Sequence, residues 1–153
     1  MTFKFNWVLV NELAISSAPF QKSNLDLIHK KGIKSVLTLC SEKEALLPKN
    51  ISFDFIHKRF FLPDHSYKEE MKIKDIKKIL DILGELKNLG PVLVHCLAGV
   101  ERSPLVCIAW LMTKNGTDLE TSLRYLMRVN PGTNPLPKQL LLLKELNKNQ
   151  LSN

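Results

Sequence analysis

The chain has 153 residues, a length that predicts one folded domain spanning residues 1–153. Hydrophobic residues make up 44% of it, which is enough for a core and excludes a disordered, collagen-like or coiled-coil chain. Its 22 lysine and arginine residues exceed its 15 aspartate and glutamate residues, and the formal net charge of +7 suits an anionic partner.

Strands and a helix alternate in the first half of the chain. Apolar alternation at residues 3–7, continued at residues 13–15, predicts one half-buried strand. Residues 24–31 predict a short helix that ends before a glycine. An apolar run at residues 35–40 predicts a buried strand, and alternation at residues 51–57 predicts another.

Helices dominate the second half. Apolar residues at spacings of three and four over residues 71–89 predict an amphipathic helix with a basic outer face. Residues 91–95 predict a short buried strand, and residues 104–112, apolar on every side, predict a central helix. Two further helices follow at residues 119–129 and 136–148. This order predicts an α/β fold with a mostly parallel central sheet flanked by helices.

The three cysteines, Cys40, Cys96 and Cys107, carry no pairing signal. They are odd in number and contain no CxxC pair, which argues against a disulfide framework and a structural zinc site. The N-terminus lacks the pattern of a secretory leader, and no apolar run approaches the ~18 residues that span a bilayer. We therefore expect reduced thiols, a cytoplasmic location and no membrane partner.

One loop, between the predicted strand at 91–95 and the helix that follows, carries a candidate nucleophile, Cys96. Its next residues are Leu97, Ala98, Gly99, Val100, Glu101 and Arg102. A loop at the carboxyl end of a strand can point its backbone N–H groups at one anion, and Gly99 permits the turn this needs. The N–H groups would hold a phosphate and keep Cys96 as a thiolate, while Arg102 offers a planar fork to two phosphate oxygens.

The segment His95-Cys96-x-x-Gly99-x-x-Arg102-Ser103 resembles the signature of the cysteine-dependent protein tyrosine phosphatase superfamily. The chain is short and lacks the phosphotyrosine-recognition loop of the phosphotyrosine-specific branch. It is therefore most similar to compact prokaryotic dual-specificity phosphatases, including cyanobacterial ones. The resemblance implies a sheet of four to five strands, a phosphocysteine intermediate, and no metal or other cofactor.

The resemblance also implies roles for residues around the loop. Asp64, directly after a predicted strand, matches the family's general acid; an ordinary turn aspartate is the alternative. Ser103 is expected to hydrogen-bond the Cys96 sulfur, to cap the following helix, or both. His95 is expected to orient the loop through backbone hydrogen bonds. The remaining histidines, which we expect at the surface, are His29, His57 and His65.

Four further residues have two interpretations each. Asn134 resembles the asparagine that helps place water, but a turn and helix cap is an equal alternative. Glu101 departs from the small or hydroxyl residue common at its position; it could disfavour heavily phosphorylated lipid headgroups, but we expect it to point outward to a lysine. His65 could tune Asp64 or contact substrate. Cys40 is interpreted as a buried core thiol, with a disulfide to Cys96 under oxidation as the alternative.

The expected function is hydrolysis of phosphotyrosine, and of phosphoserine or phosphothreonine, in a phosphorylated protein substrate. The same chemistry on a phosphoinositide, nucleotide or RNA 5′-phosphate is the alternative. A phosphate-binding module without catalysis is disfavoured because the sequence has Cys96, Arg102 and Asp64 together. We expect a monomer with no nucleic-acid partner, since its lysines are not interleaved with exposed aromatic residues.

Overall fold

A five-stranded sheet lies at the centre of the structure, a computed structural model that describes residues 2–151 and the side chains of residues 2–146. The strands are β1 (Phe5–Leu9), β2 (Leu13–Ser16), β3 (Ser35–Thr38), β4 (Ile56–Arg59) and β5 (Val92–His95). Their order is β1-β2-β5-β3-β4, with β1 antiparallel to β2 and every other pair parallel. The predicted mostly parallel sheet of four to five strands is confirmed.

Helices cover both faces of this sheet. They are α1 (Lys22–Lys30), α2 (Ile51–Asp54), α3 (Ile73–Lys87), α4 (Arg102–Lys114), α5 (Leu119–Val129) and α6 (Pro137–Leu151). The apolar residues of α1 and α2 form one core with one face of the sheet, and those of α3 to α6 form a larger core with the other face. None of the helices among the described residues is both long and apolar enough to cross a membrane.

The register of the parallel strands brings their carboxyl ends level. Ser16, His95, Thr38 and Arg59, the last residues of β2, β5, β3 and β4, are neighbours across the sheet. The loops that follow these strands therefore start at one edge. The loop after β5 is also the most enclosed, because β5 is buried between two strands and α4 is buried from its first residue to Met112.

Two predicted strands were wrong in detail. The segment interpreted as one continuing strand at residues 3–7 and 13–15 is a hairpin, because the chain reverses at Asn11, whose φ is 60°. Most of the predicted strand at 51–57 is helical. Ile51 and Phe55, four positions apart, are buried in the same core while Phe53 is 87% exposed, so the spacing is that of a helical turn; β4 starts at Ile56.

Candidate active site

The loop between β5 and α4 turns tightly against the end of β2. Gly99 has a φ of +74°, the left-handed region that favours glycine. A Cβ atom at this position would lie 3.0 Å from the carbonyl oxygen of Ser16, tighter than ordinary contact. Glycine is therefore needed here for two reasons, the backbone conformation and the close approach of a neighbouring strand.

The carbonyl groups of this loop bond to surrounding segments. Those of Leu97, Gly99 and Val100 accept hydrogen bonds from the Ala18 N–H, the Asn130 side-chain amide and the Asn134 N–H, at 2.8 to 3.0 Å. In a trans peptide the N–H points away from the carbonyl, so each bond turns the next N–H in the opposite direction. Within the described chain, the N–H groups of residues 97–101 donate to no acceptor. They are available to an anion.

Asn130 contributes to this arrangement although no motif marks it. It is buried, donates to the Gly99 carbonyl at 3.0 Å, and its side-chain oxygen accepts from Asn6 of β1 at 2.9 Å. The exposed Asn134 lies beside the same cleft, and the contact it makes with the loop is through its backbone N–H. A role for the Asn134 side chain in placing water stays a prediction.

Cys96 and Ser103 meet at the end of the loop. The Cys96 sulfur is 3.2 Å from the Ser103 hydroxyl oxygen, which is buried in the first turn of α4. A hydroxyl at this distance can donate to sulfur. The geometry thus allows the contact that the sequence predicts, and Ser103 makes no side-chain hydrogen bond to a backbone N–H of α4 among the described residues.

Arg102 is 2% exposed and is held by two neighbouring loops. Its Nη1 donates to Glu44 Oε2 at 3.2 Å and to the Leu62 carbonyl at 3.1 Å, and its Nη2 donates to Glu44 Oε1 at 2.7 Å. A guanidinium has five N–H donors. The Nε–H and the second Nη2–H remain, and together they form an edge suited to two phosphate oxygens.

Glu44, like Asn130, supports the site although no sequence pattern indicated it, since it lies 58 positions from Arg102. Burial alone would raise its pKa, but hydrogen bonds from Arg102 and the Ser41 N–H outweigh burial and lower the pKa to about 2. Glu44 is therefore ionised at neutral pH. Tyr67 also donates to it, at 3.0 Å.

Asp64 lies in the loop after β4 and faces the same cleft as Cys96. Its Oδ2 is 3.5 Å from Arg102 Nη2, and its Oδ1 accepts from the Ser66 N–H at 2.9 Å. The structure thus brings the predicted acid to the predicted nucleophile and arginine, which come from a different loop.

The cleft has a volume of about 390 Å³. Its lining residues are Asp64, His65, Cys96, Leu97, Ala98, Val100, Glu101, Arg102, Asn134 and Leu136. Much of this wall is apolar, and the described residues that form it include one guanidinium, one histidine and two carboxylates but no lysine. Asp64, His65 and Glu101 also place three potential metal-ligand atoms within 4.8 Å of one another, although two of these atoms, on His65 and Glu101, are hydrogen-bonded to each other.

A chain of hydrogen bonds links the loop after β5 to β3 and β4. His95 Nδ1 lies 2.8 Å from the Cys96 carbonyl, so this nitrogen carries a hydrogen. Burial lowers the pKa of His95 to about 4, which leaves Nε2 an acceptor at neutral pH. The Thr38 hydroxyl, 2.7 Å away, therefore donates to Nε2 and accepts from His57 Nε2 at 2.8 Å. The predicted orienting contact of His95 is present in the structure.

The expectation that His57 lies at the surface was wrong. It is half-buried because it faces Thr38 across β3 and β4, and burial, with a smaller effect of Arg59, lowers its pKa. His29 and His65 are exposed, as predicted. Cys40 packs with Ala18 and Ala45, and burial raises its pKa to about 11, as expected for a core thiol. Its disulfide with Cys96 stays a prediction.

The expectation that Glu101 points outward to a lysine was also wrong. Its side chain is 13% exposed and lies between the Asp64 loop and the start of α6. The carboxylate accepts from the His65 N–H at 2.9 Å, pairs with His65 Nδ1 at 2.7 Å, and accepts from the Gln139 amide. These three donors replace the water or lysine that an outward carboxylate would have.

The model of the dual specificity phosphatase catalytic domain matches residues 15–149. The chain belongs to the dual specificity phosphatase family. The resemblance seen at His95 to Ser103 is therefore confirmed at the level of the family.

Two curated relatives come from Arabidopsis thaliana. Dual specificity protein phosphatase 1 is 28% identical over 128 residues, which cover 82% of this chain and 61% of that protein. Phosphatidylglycerophosphate phosphatase PTPMT2 is 24% identical over 146 residues, which cover 94% of this chain and 64% of that protein. The chain thus spans less than two thirds of the length of either relative. Because both are plant proteins, the likeness to prokaryotic members stays a prediction.

A solved structure shares the fold. The crystal structure of PTPMT1 in complex with PI(5)P superposes with a TM-score of 0.82 over 97% of both chains, at 18% sequence identity. This agreement extends over nearly the whole chain, so the dual-specificity-phosphatase-like α/β architecture extends beyond the loop between β5 and α4.

Proposed function

We propose that this phosphatase hydrolyses phosphotyrosine in proteins, and phosphoserine or phosphothreonine as further substrates, through a phosphocysteine intermediate. One observation carries the proposal: Cys96, the free N–H groups of residues 97–101, the open edge of Arg102 and the Asp64 carboxyl all border one cleft. Nucleophile, anion site and acid are the three parts that phosphomonoester transfer to a thiol requires.

In the first step the Cys96 sulfur attacks phosphorus in line with the leaving oxygen. The S–P bond forms as the P–O bond to the tyrosyl oxygen breaks, and Asp64, as the carboxylic acid, gives its proton to that oxygen. The N–H groups of the loop and the two free donors of Arg102 hold the equatorial oxygens, whose charge needs fixed donors in a dry site. Asp64 is then a carboxylate.

In the second step water attacks the phosphorus of phosphocysteine. Asp64 takes a proton from this water, the O–P bond forms, and the S–P bond breaks. The Ser103 hydroxyl, 3.2 Å from the sulfur, donates a hydrogen bond to the thiolate as it leaves. Inorganic phosphate is released, and Asp64 again carries a proton, so the cycle closes without a metal or cofactor.

The lining of the cleft favours an aryl phosphate over a polyanion. Beyond the phosphate site, its walls are formed by Leu97, Val100 and Leu136, which can contact a phenyl ring. The Glu101 carboxylate in the same lining would repel additional phosphate groups on a substrate. Among the residues whose side chains the structure describes, Arg102 is the one lysine or arginine in this lining.

A non-protein phosphomonoester is the second candidate. The observation in its favour is similarity to a phosphatidylglycerophosphate phosphatase and to a structure that holds PI(5)P. Phosphate release from a panel of phosphotyrosine, phosphoserine and phosphothreonine peptides, phosphoinositides, a nucleoside monophosphate and an RNA 5′-phosphate would separate the two. We expect phosphotyrosine peptides to have the highest kcat/KM, and a higher value for any lipid or nucleotide contradicts the protein assignment.

The catalytic assignment is tested by Cys96→Ser. This change should abolish turnover of p-nitrophenyl phosphate, because a hydroxyl in this site is a far weaker nucleophile than a thiolate. Cys107→Ala, at a buried thiol of α4 away from the cleft, is the matched control and should keep the activity within about twofold. Turnover by Cys96→Ser above trace level, or loss of activity in EDTA, would contradict the mechanism.

A further inference from the structure

The Asp64 loop has few connections to the rest of the molecule. Between residues 63 and 67, the hydrogen bonds of the Ser66 and Tyr67 N–H groups are local, both returning to Asp64. Among the described residues, one backbone group of this segment bonds to another segment, the His65 N–H, and its acceptor is Glu101. Side-chain contacts of Asp64 with Arg102 and of Tyr67 with Glu44 also reach this loop, but its backbone hydrogen bond to another segment is accepted by Glu101, in the loop between β5 and α4.

Glu101 is suited to hold this position because it is fixed from both sides. Its two carboxylate oxygens bond to the N–H and ring of His65 on one side. On the other side the Gln139 amide donates to it. Gln139 is 4% exposed, and its own oxygen accepts the Leu136 N–H at 2.8 Å, so it is anchored at the start of α6.

A second contact joins the same two segments. Lys138, next to Gln139, forms an ion pair at 3.0 Å with Glu70, and Glu70 lies three residues after Tyr67. Both of its side chains are more than half exposed, so this pair contributes little. The Glu101 carboxylate, whose side chain is 13% exposed, is the firmer connection between the Asp64 loop, the loop between β5 and α4, and α6.

We propose that Glu101 is a positioning residue that sets the distance between the Asp64 carboxyl and the leaving oxygen, with Gln139 as its support; this rests on the proposed function. Asp64 directly precedes His65, so holding the His65 N–H fixes the backbone that carries the acid. The site is then assembled before substrate binds, and no closing of the Asp64 loop is needed to complete it.

The test separates reactions that need an acid from those that do not. Glu101→Ala should lower kcat/KM for a phosphotyrosine peptide about 10- to 100-fold, since general acid catalysis contributes roughly 10²- to 10⁴-fold and a displaced acid retains part of it. For an activated aryl phosphate with a leaving-group pKa near 5, the loss should stay within about threefold. Asp64→Asn is the reference and should show the same selectivity with a larger loss.

Two further variants make the comparison specific. Glu69→Ala removes a carboxylate from the same region that makes no side-chain hydrogen bond or ion pair with any described residue, and it should leave both rates unchanged. Gln139→Ala, which removes the support, should show a weaker form of the Glu101→Ala selectivity. Thermal melts of all variants identify any loss of folding.

The outcomes separate a failure of the positioning role of Glu101 from a failure of the proposed phosphatase function. If the unaltered protein hydrolyses the peptide and Asp64→Asn is selective, but Glu101→Ala loses both activities equally or neither, the positioning role is wrong and the proposed function stands. If Asp64→Asn is not selective, Asp64 is not the acid and the positioning role is wrong with it. If the unaltered protein releases no phosphate from either substrate, both proposals fail.

Discussion

Arg102 is a buried charge whose surroundings decide what it can bind. Glu44 and the Leu62 carbonyl occupy three of its five donors and hold the guanidinium in one plane. A buried charge of this kind is costly without a partner, and the ionised Glu44 provides one before any phosphate arrives. Glu44 thus allows Arg102 to be both buried and oriented in the empty site.

Replacement of Glu44 should therefore weaken both stability and substrate binding. In Glu44→Gln the amide NH₂ faces a guanidinium donor, so one Arg102 hydrogen bond is lost, and we expect the free energy of unfolding to fall by about 1–3 kcal/mol. KM for an aryl phosphate should rise more than kcat falls, because the guanidinium is no longer held. Urea denaturation and steady-state kinetics measure the two effects.

Glu42→Gln provides the control, since Glu42 is exposed two positions away in the same loop. It should change neither quantity. Equal behaviour of the two variants would show that Glu44 does not orient Arg102.

The site residues that sequence could predict are those of one continuous segment. His95 to Ser103 lie within nine positions, so a motif describes them, and Asp64 was assigned through the family resemblance that this motif carries. Glu44, Asn130 and Thr38 act through contacts to residues 31 to 58 positions away. Such contacts depend on how the strands are ordered, which the local pattern does not specify.

At the scale of elements, the strand-loop-helix unit of β5 and α4 explains why the catalytic loop tolerates little change. Gly99 combines a φ of +74° with a neighbouring carbonyl 3.0 Å from a Cβ position. Gly84, in the middle of α3, has no atom within 4 Å of its Cβ position and an ordinary helical φ. An added methyl group would therefore be strained at Gly99 but accommodated at Gly84.

Gly99→Ala should destabilise the protein by roughly 1–3 kcal/mol and reduce activity strongly, because the left-handed backbone and the contact with β2 both resist a methyl group. Gly84→Ala should be neutral or stabilise by about 0.5–1 kcal/mol, since alanine is the better helix former. Thermal or urea denaturation of both variants measures the difference. A Gly99→Ala variant as stable and active as the unaltered protein would contradict the loop geometry.

Elements with a long or strongly apolar pattern were predicted well, and short ones less so. Helices α3 to α6 lie within a few residues of their predicted bounds, because their apolar patterns, a stripe in α3 and an all-apolar run in α4, are longer than an ordinary strand. At residues 51–57 the pattern is too short to separate the period of a strand from that of a helix. Ile51 and Phe55 pack in the same core, which favours a helical turn. The turn at Asn11 was missed because apolar residues continue on both sides of it.

At the scale of the whole molecule, buried histidines make stability depend on pH. An unfolded histidine binds a proton below about pH 6.5, whereas native His95 does so only below about 4, and the pKa of native His57 is lowered as well. Between these values the unfolded state holds more protons, so stability falls as the pH falls through this window. Protonation of Glu44, whose pKa is lowered from 4.5 to about 2, lowers the stability only below pH 4.5.

We expect the free energy of unfolding to drop by about 2 kcal/mol from pH 7 to pH 5, at 1.4 kcal/mol per unit of pKa difference for His95. His65 has the opposite sign, because the hydrogen bond with Glu101 raises its pKa, so its contribution is present below pH 6.5 and is lost at higher pH. Urea titrations at several pH values and the NMR titration of the His95 ring check this. A ring that titrates near pH 6.5 contradicts it.

The central place of β5 has a consequence for how the protein loses activity. The amides of β5 are enclosed by β2 and β3 and by α4, so they exchange with solvent only through openings that disrupt the whole sheet. Cys96 follows this central strand directly, so the strand that positions it cannot open separately from the sheet. We therefore expect the β5 amides and the position of Cys96 to be lost only in global unfolding, whereas the Asp64 loop can open by itself, so activity can be lost before the fold is.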